Sequence, residues 1–265
     1  MAAATHRMAG GVPPDGDNVT WRYEVVSWGS ASAAGPRHDN GDRVGADGYL
    51  FSVADGVGSL ALGGLAAAAA VRSLHRFAPN DGAGLEEAFF TANNAVRALQ
   101  RSADLQGGST LTALLVGSAG CFLAHVGDSR AFMLRPGHQL ELLTVDDNLA
   151  THRGVGPEDA DYRGLASRLT RCMGTEPVLE VSAQALPVYP ELVRVALTTD
   201  GVHDRLSEAS MSILAEEQDP SRAATQLVHA AAGAGAVDDC SVLVVDLAPQ
   251  AHASREIRDG DHAAR

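Results

Sequence analysis

The chain has 265 residues, 45% hydrophobic and 20% charged, a globular composition with enough apolar material for a sizeable core, which excludes collagen-like, coiled-coil and wholly disordered classes. Acidic residues number 33 against 20 basic ones, every basic one Arg because Lys is absent, for a net charge of -13; this disfavours nucleic acid and anionic membrane as partners. Cys121, Cys172 and Cys240 are far apart with no CxxC spacing, which fits neither a disulfide framework nor a thiolate zinc site and makes a reducing cytoplasm the expectation.

Residues 1–20 carry Gly, Pro and Asp where a secretory leader has its apolar stretch, and read as a flexible lead-in. From there the hydrophobic period switches between two and 3.6 several times without an internal repeat, so one domain over residues 21–247 is expected. Strands are predicted at 21–28 and 49–54, followed by helices at 60–77 and 85–101. The apolar run Ala61 to Val71 is far shorter than the ~20 residues of a membrane span and belongs to a buried helix. Further strands are predicted at 110–116, 121–126 and 130–135, separated only by short Gly-containing breaks. Residues 144–175 have weak periodicity and read as an irregular surface excursion with one short helix, the kind of long loop that serves binding. A strand at 192–198, helices at 207–217 and 221–232 and a strand at 241–247 complete the pattern, and residues 248–265 read as a flexible, solvated tail. Successive strands without βαβ alternation predict an α+β fold: two antiparallel sheets sharing a core, with helices on the outer faces.

Carboxylates fall where predicted strands stop or start. Asp55 follows YLFSVA, Asp128 follows CFLAHVG, Asp200 follows VRVALTT, and Asp238 precedes SVLVVDL. Each is beside or near a Gly, so each alone reads first as a turn residue. Converging at one end of a sandwich, they would repel one another unless cations neutralised them, and oxygen-only ligands suit Mg²⁺ or Mn²⁺.

The set also resembles, in order, the motifs of the type 2C metal-dependent protein phosphatases. Gly35-Pro36-Arg37-His38-Asp39-Asn40-Gly41-Asp42 resembles R-x-x-N-E-D, and Val53-Ala54-Asp55-Gly56-Val57-Gly58 resembles the V-A-D-G-M-G of the bacterial branch. Gly108-Ser109-Thr110, His125-Val126-Gly127-Asp128-Ser129-Arg130-Ala131, Leu143-Thr144-Val145-Asp146 and Leu169-Thr170-Arg171-Cys172-Met173-Gly174 resemble G-S/T-T, N-V-G-D-S-R-A, L-T-x-D-H and I-T-R-A-L-G. Thr199-Asp200-Gly201-Val202 and Asp238-Asp239-Cys240-Ser241-Val242 resemble S-D-G-L and D-N-x-T-V.

The resemblance implies a four-layer α-β-β-α sandwich with two Mn²⁺ or Mg²⁺ ions between the sheets. Asp55 would bridge both ions, Asp200 and Asp238 would complete one site, and the Gly56 carbonyl would serve the other. Asp42 would hold metal-bound water, Asp128 with Asp200 a weaker third ion, and Arg37 the phosphate. Implied with these are a metal-activated water attacking phosphorus, substrates that are proteins phosphorylated on serine or threonine by a Ser/Thr kinase, a monomeric state, and residues 144–168 as a flap.

Departures from the motifs are Gly41 for Glu, which removes a carboxylate near the second metal; Val57, where the eukaryotic branch has a His; Ser59 for Gly; and Asp147 for the His of L-T-x-D-H. Gly41 supports a competing reading, a phosphoprotein-binding or regulatory module without turnover. Gly56 to Ala61 matches a loose dinucleotide fingerprint, but a second helix follows where a parallel strand is needed. Ser129 sits in a near-match to a nucleophile elbow and reads instead as a turn residue. His75 and His125 read as hydrogen-bonded structural residues.

Overall fold

A computed structural model describes residues 19–36, 39–58, 60–103, 107–207 and 209–253. In chain order the elements are β1 (Val19–Ala33), β2 (Arg43–Ala46), β3 (Leu50–Ala54), β4 (Gly56–Gly58), α1 (Leu60–Phe77), α2 (Gly82–Ala103), β5 (Gly107–Ser109), β6 (Leu111–Gly117), β7 (Gly120–Val126), β8 (Arg130–Leu134), β9 (Glu141–Leu142), α3 (Leu149–Arg153), α4 (Tyr162–Ala166), β10 (Ser182–Ala185), β11 (Val193–Thr198), α5 (Asp200–His203), a 3₁₀ turn (Ser210–Ser212), α6 (Ile213–Glu216), α7 (Pro220–Gly233) and β12 (Cys240–Ala253). One sheet has the order β1-β12-β11-β8-β9 and the other β10-β7-β6-β3-β2, while β4 and β5 form a separate ribbon. All of these pairings are antiparallel.

Alternation along each strand sends side chains into different apolar layers. On β12, Leu243, Val245 and Leu247 meet Phe51, Leu114, Leu123 and Met133 between the sheets, whereas Val242 and Val244 pack outward against Leu227 and Ala224 of α7. On β6, Leu114 faces the inter-sheet core, while Leu111 and Leu115 lie under Leu74 of α1 and Leu85 and Phe89 of α2. The result is the expected α-β-β-α sandwich. Burial on both faces explains why β11 and the first half of β12 are rich in Val and Leu on both sides, with the paired Arg194 and Asp246 as charged exceptions. Phe89 is fully buried and Phe90 exposed, as the helical period requires. Among the described residues no helix is long and apolar enough to cross a membrane.

Three expectations need correction. Residues 248–253 continue β12 instead of forming part of a tail, because β1 extends back to Val19, two residues into the expected lead-in, and pairs with them. Past Leu247, β12 has left β11, so Pro249 lies where one side of the strand has no partner strand and its missing N–H is harmless. The helix predicted at 207–217 is a 3₁₀ turn followed by one helical turn. At and just beyond the end of that turn the buried Arg194 guanidinium takes Leu214 O at 2.8 Å, Glu217 O at 2.5 Å and Gln218 O at 2.8 Å, and forms a bidentate pair with Asp246 at 2.6 and 2.8 Å. The excursion holds two short helices, α3 and α4, rather than one. Asn148 caps α3 by accepting from Thr151 N at 2.9 Å, and Gly154 ends it in the left-handed region.

Arg194 and Asp246 are direct cross-strand neighbours. Because removing one member of a buried pair strands the other charge, Arg194→Met is expected to destabilise the fold by about 3–5 kcal/mol. Replacing both members, Arg194→Met with Asp246→Leu, should cost less than the sum of the single changes. Urea unfolding of the three variants checks both statements.

Candidate metal centre

The strand register brings one end of both sheets to a common edge. Thr198, the last residue of β11, lies opposite Val242 and Arg130, and Leu111 at the start of β6 lies opposite Val126 at the end of β7. Asp200 and Asp238 therefore emerge from one sheet, Asp55 from the other, and Asp128 from the turn that carries the chain across from β7 to β8.

Neutral donors hold the backbone of these carboxylates. Asp55 N donates to Thr110 Oγ1 at 2.8 Å, and Asp55 O accepts from Thr110 N at 2.9 Å and Ser109 Oγ at 3.0 Å. Thr110 Oγ1 also lies 2.7 Å from Ser129 Oγ, tying Asp55 to the turn that carries Asp128. That turn requires Gly127: its φ is 108°, and a Cβ there would come 2.6 Å from the Thr110 methyl. A Cβ on Gly56 would collide with Gly63, so bare backbone lets β4 pack on the first turns of α1.

Asp42, 3% exposed, accepts Thr199 Oγ1 at 2.8 Å on one oxygen. Its other oxygen, and Asp200 Oδ1, are buried without a hydrogen-bond partner among the described residues. Burial raises Asp42 to about 6, with the charge of Asp239 acting the same way. Burial, reinforced by Asp146 and Asp204, raises Asp128 to about 7. Asp55 and Asp200 lie well above the usual carboxylate range through burial and mutual repulsion, Asp128 and Asp238 adding to both. A cleft of about 270 Å³ is lined by Asp55, Gly56, Asp128, Asp200, Asp238 and Asp239. It adjoins one of about 420 Å³ that shares Asp128, Asp200 and Asp238 and is walled on the far side by Tyr162 and Arg163 of the 144–168 excursion.

Among the described residues no three His, Cys, Asp or Glu side chains close into a ready-made cage. Mg²⁺ and Mn²⁺ do not need one: such hard ions take one or two carboxylates each and fill their shell with water. Unpartnered carboxylate oxygens in a shared cleft fit that donor set. The expected residues Asp42, Asp55, Gly56, Asp128, Asp200 and Asp238 are thus brought together, while Arg37 lies outside the described residues.

A family model for protein phosphatase 2C matches residues 31–233. The chain belongs to the protein phosphatase 2C family. It is 30% identical over 226 residues to the serine/threonine protein phosphatase PstP of Mycobacterium tuberculosis, covering 80% of this chain and 43% of that protein; the chain spans less than half the length of this relative. The crystal structure of the Ser-Thr phosphatase MsPP from Mycobacterium smegmatis, in complex with cacodylate, superposes with a TM-score of 0.76 at 33% identity, covering 84% of this chain and 98% of that one. The catalytic domain of PstP in complex with two manganese ions gives 0.73 at 26% identity, over 86% and 100%.

Within this phosphatase-family frame the departures acquire surroundings. Asp147 accepts Gly127 N at 2.9 Å and pairs with Arg171, so it braces the Asp128 turn from the base of the excursion. Val57 lines the carboxylate cleft, and Ser59 lies outside the described residues. His75 bridges Ser52 Oγ and Asp47 Oδ2, both at 3.0 Å, a structural role as read from the sequence. His125 is buried against Thr112 Oγ1 at 2.9 Å, and burial lowers its pKa. Sequence reasoning did not single out Thr199 or Asp239. The signal for each was adjacency alone, a hydroxyl before Asp200 and a second carboxylate after Asp238.

Carboxylates raised above their ordinary 3.8 bind protons more tightly in the folded chain than in the unfolded one. The stabilisation from that protonation is complete below about pH 4 and is lost as the pH rises through 6 and 7. Protein freed of divalent ions by chelator should therefore lose more than about 5 °C in melting temperature between pH 5 and pH 8. A thermal-melt series across that range checks it, a flat profile being the contrary result.

Proposed function

We propose that this chain hydrolyses phosphoserine and phosphothreonine on proteins, using two divalent ions held by Asp55, the Gly56 carbonyl, Asp200 and Asp238, with a weaker third at Asp128 and Asp200. The observation that carries the reading is the Asp200 oxygen that is buried without a hydrogen-bond partner among the described residues, close to the carboxylates of Asp42, Asp128, Asp204 and Asp238. Similarity to PstP, a serine/threonine protein phosphatase whose catalytic domain holds two manganese ions, supports both the substrate class and the ion count. When bound, such ions supply charge stabilisation for a phosphoryl group under attack and lower the pKa of water. The protein's own part is placement. Ser109 and Thr110 fix the backbone of Asp55, Thr199 orients Asp42, and Arg37 is assigned to grip two phosphate oxygens.

Hydrolysis of an aryl phosphate should require Mn²⁺ or Mg²⁺ and stop with chelator. Asp55→Asn and Asp200→Asn should each lower kcat by more than about 100-fold, since each removes a charged ligand. Turnover without metal, or unchanged rates in both variants, would overturn the assignment. Metal and phosphoprotein binding without turnover in the unaltered protein would instead establish the regulatory-module reading that Gly41 favours.

We infer that the 144–168 excursion, whose Tyr162 and Arg163 wall the second cleft, governs substrate choice; its residues between Arg153 and Asp161 are mostly exposed. Replacing residues 153–161 with a short Gly-Ser link should spare aryl phosphate hydrolysis and reduce activity on a phosphothreonine protein by about 10-fold or more. Equal loss on both substrates would show that the segment supports the carboxylate cleft itself.

A further inference from the structure

Asp239 stands at the entry to β12, 4% exposed, and takes an amide on each oxygen: Gly35 N on Oδ1 at 2.7 Å and Gly41 N on Oδ2 at 2.6 Å. Two short charge-assisted bonds thus close both ends of the 35–41 segment onto one carboxylate. Gly41 has no side chain, yet its backbone is not among the positive-φ glycines. A Cβ built on it would sit 3.4 Å from Asp239 Oδ2 and 3.8 Å from the Gly56 carbonyl oxygen, ordinary contact distances. Asp239 and the Gly56 carbonyl therefore flank the same point, the place from which a side chain at 41 would start. An independent sign is Asp42 Oδ1, next in the chain to Gly41, which is buried without a hydrogen-bond partner among the described residues and whose carboxyl feels the Asp239 charge.

We propose that Asp239 is the positioning residue for the cation on the Gly56 side of the cleft, supplying the negative charge that the 35–41 segment lacks at Gly41. The Gly41 N–H, which would otherwise present a positive dipole toward that cation, is turned onto the Asp239 carboxylate. An acidic residue at 239 and a glycine at 41 then form one unit, and the charge can be moved between the two positions. The inference rests on the two-ion reading proposed above. Its physical basis is that affinity for a hard cation follows the charge gathered around the site, and that groups supporting the ligands typically contribute 10–100-fold.

The test is calorimetric Mn²⁺ titration, with circular dichroism as the check of folding, on the unaltered protein, Asp239→Asn, Gly41→Glu and the double variant. Asp239→Asn should bind one Mn²⁺ about 10–100-fold more weakly and leave the other affinity unchanged. Gly41→Glu combined with Asp239→Asn should recover to within about 3-fold of the unaltered protein, so that the two changes are strongly non-additive. Two unchanged affinities in Asp239→Asn would overturn the proposal while leaving the metal reading intact, as would weakening that the double variant does not relieve. If Asp239→Asn fails to fold, the double variant decides alone by its affinity, and failure of both to fold would reduce Asp239 to a loop anchor and overturn the proposal. Unaltered protein that binds no Mn²⁺ would overturn the two-ion reading and this inference with it.

Discussion

The crowding of Asp42, Asp55, Asp128, Asp200 and Asp238 around one cleft is the constraint around which the fold is arranged. Burial first, and then the charges of neighbouring carboxylates, raise the pKa values of Asp42, Asp55, Asp128 and Asp200. Stability must come from elsewhere, and it comes from three apolar layers, one between the sheets and one under each helical face. The donors close to the cleft are spent on backbone instead: Ser109, Thr110 and Ser129 fix where Asp55 and Asp128 leave their strands, while the carboxylate oxygens remain available to the cleft. Rigid main chain with under-satisfied side chains is the arrangement a cation site needs, since the ligands are held in place at a cost met by distant packing.

The long 144–168 excursion is attached to this framework at its base. Asp147 accepts the Gly127 amide and pairs with Arg171, Arg130 grips Asp146 through two hydrogen bonds of 2.9 and 2.7 Å, and Leu149 N donates to Arg168 O at 2.9 Å, bringing the two ends of the excursion together. Beyond that neck most side chains are exposed. The base therefore shares the stiffness of the Asp128 turn, whereas the outer part has few buried contacts and can vary without disturbing the carboxylates.

The sequence by itself determined the class of fold and the identity of the converging carboxylates. Long apolar runs such as 193–198 and 242–247, the paired helices after 60, and Asp-Gly steps at strand ends are local signals, and period and turn chemistry read them directly. The tertiary structure alone decided what depends on partners distant in the chain. The strand ending at Ala253 exists because Val19 to Val25 lie beside it, and nothing in the composition of 248–253 announces that pairing. The segment expected as one helix at 207–217 is a 3₁₀ turn and one helical turn whose end is held by Arg194, on another element, through the carbonyls of Leu214, Glu217 and Gln218. Asp239 looked like a neighbour of Asp238, and only the approach of Gly35 and Gly41, about two hundred residues earlier, makes it the clamp on that segment. Local propensity is written in neighbouring residues, while hydrogen-bond competition and charge placement are set by whichever groups the fold brings within 3 Å.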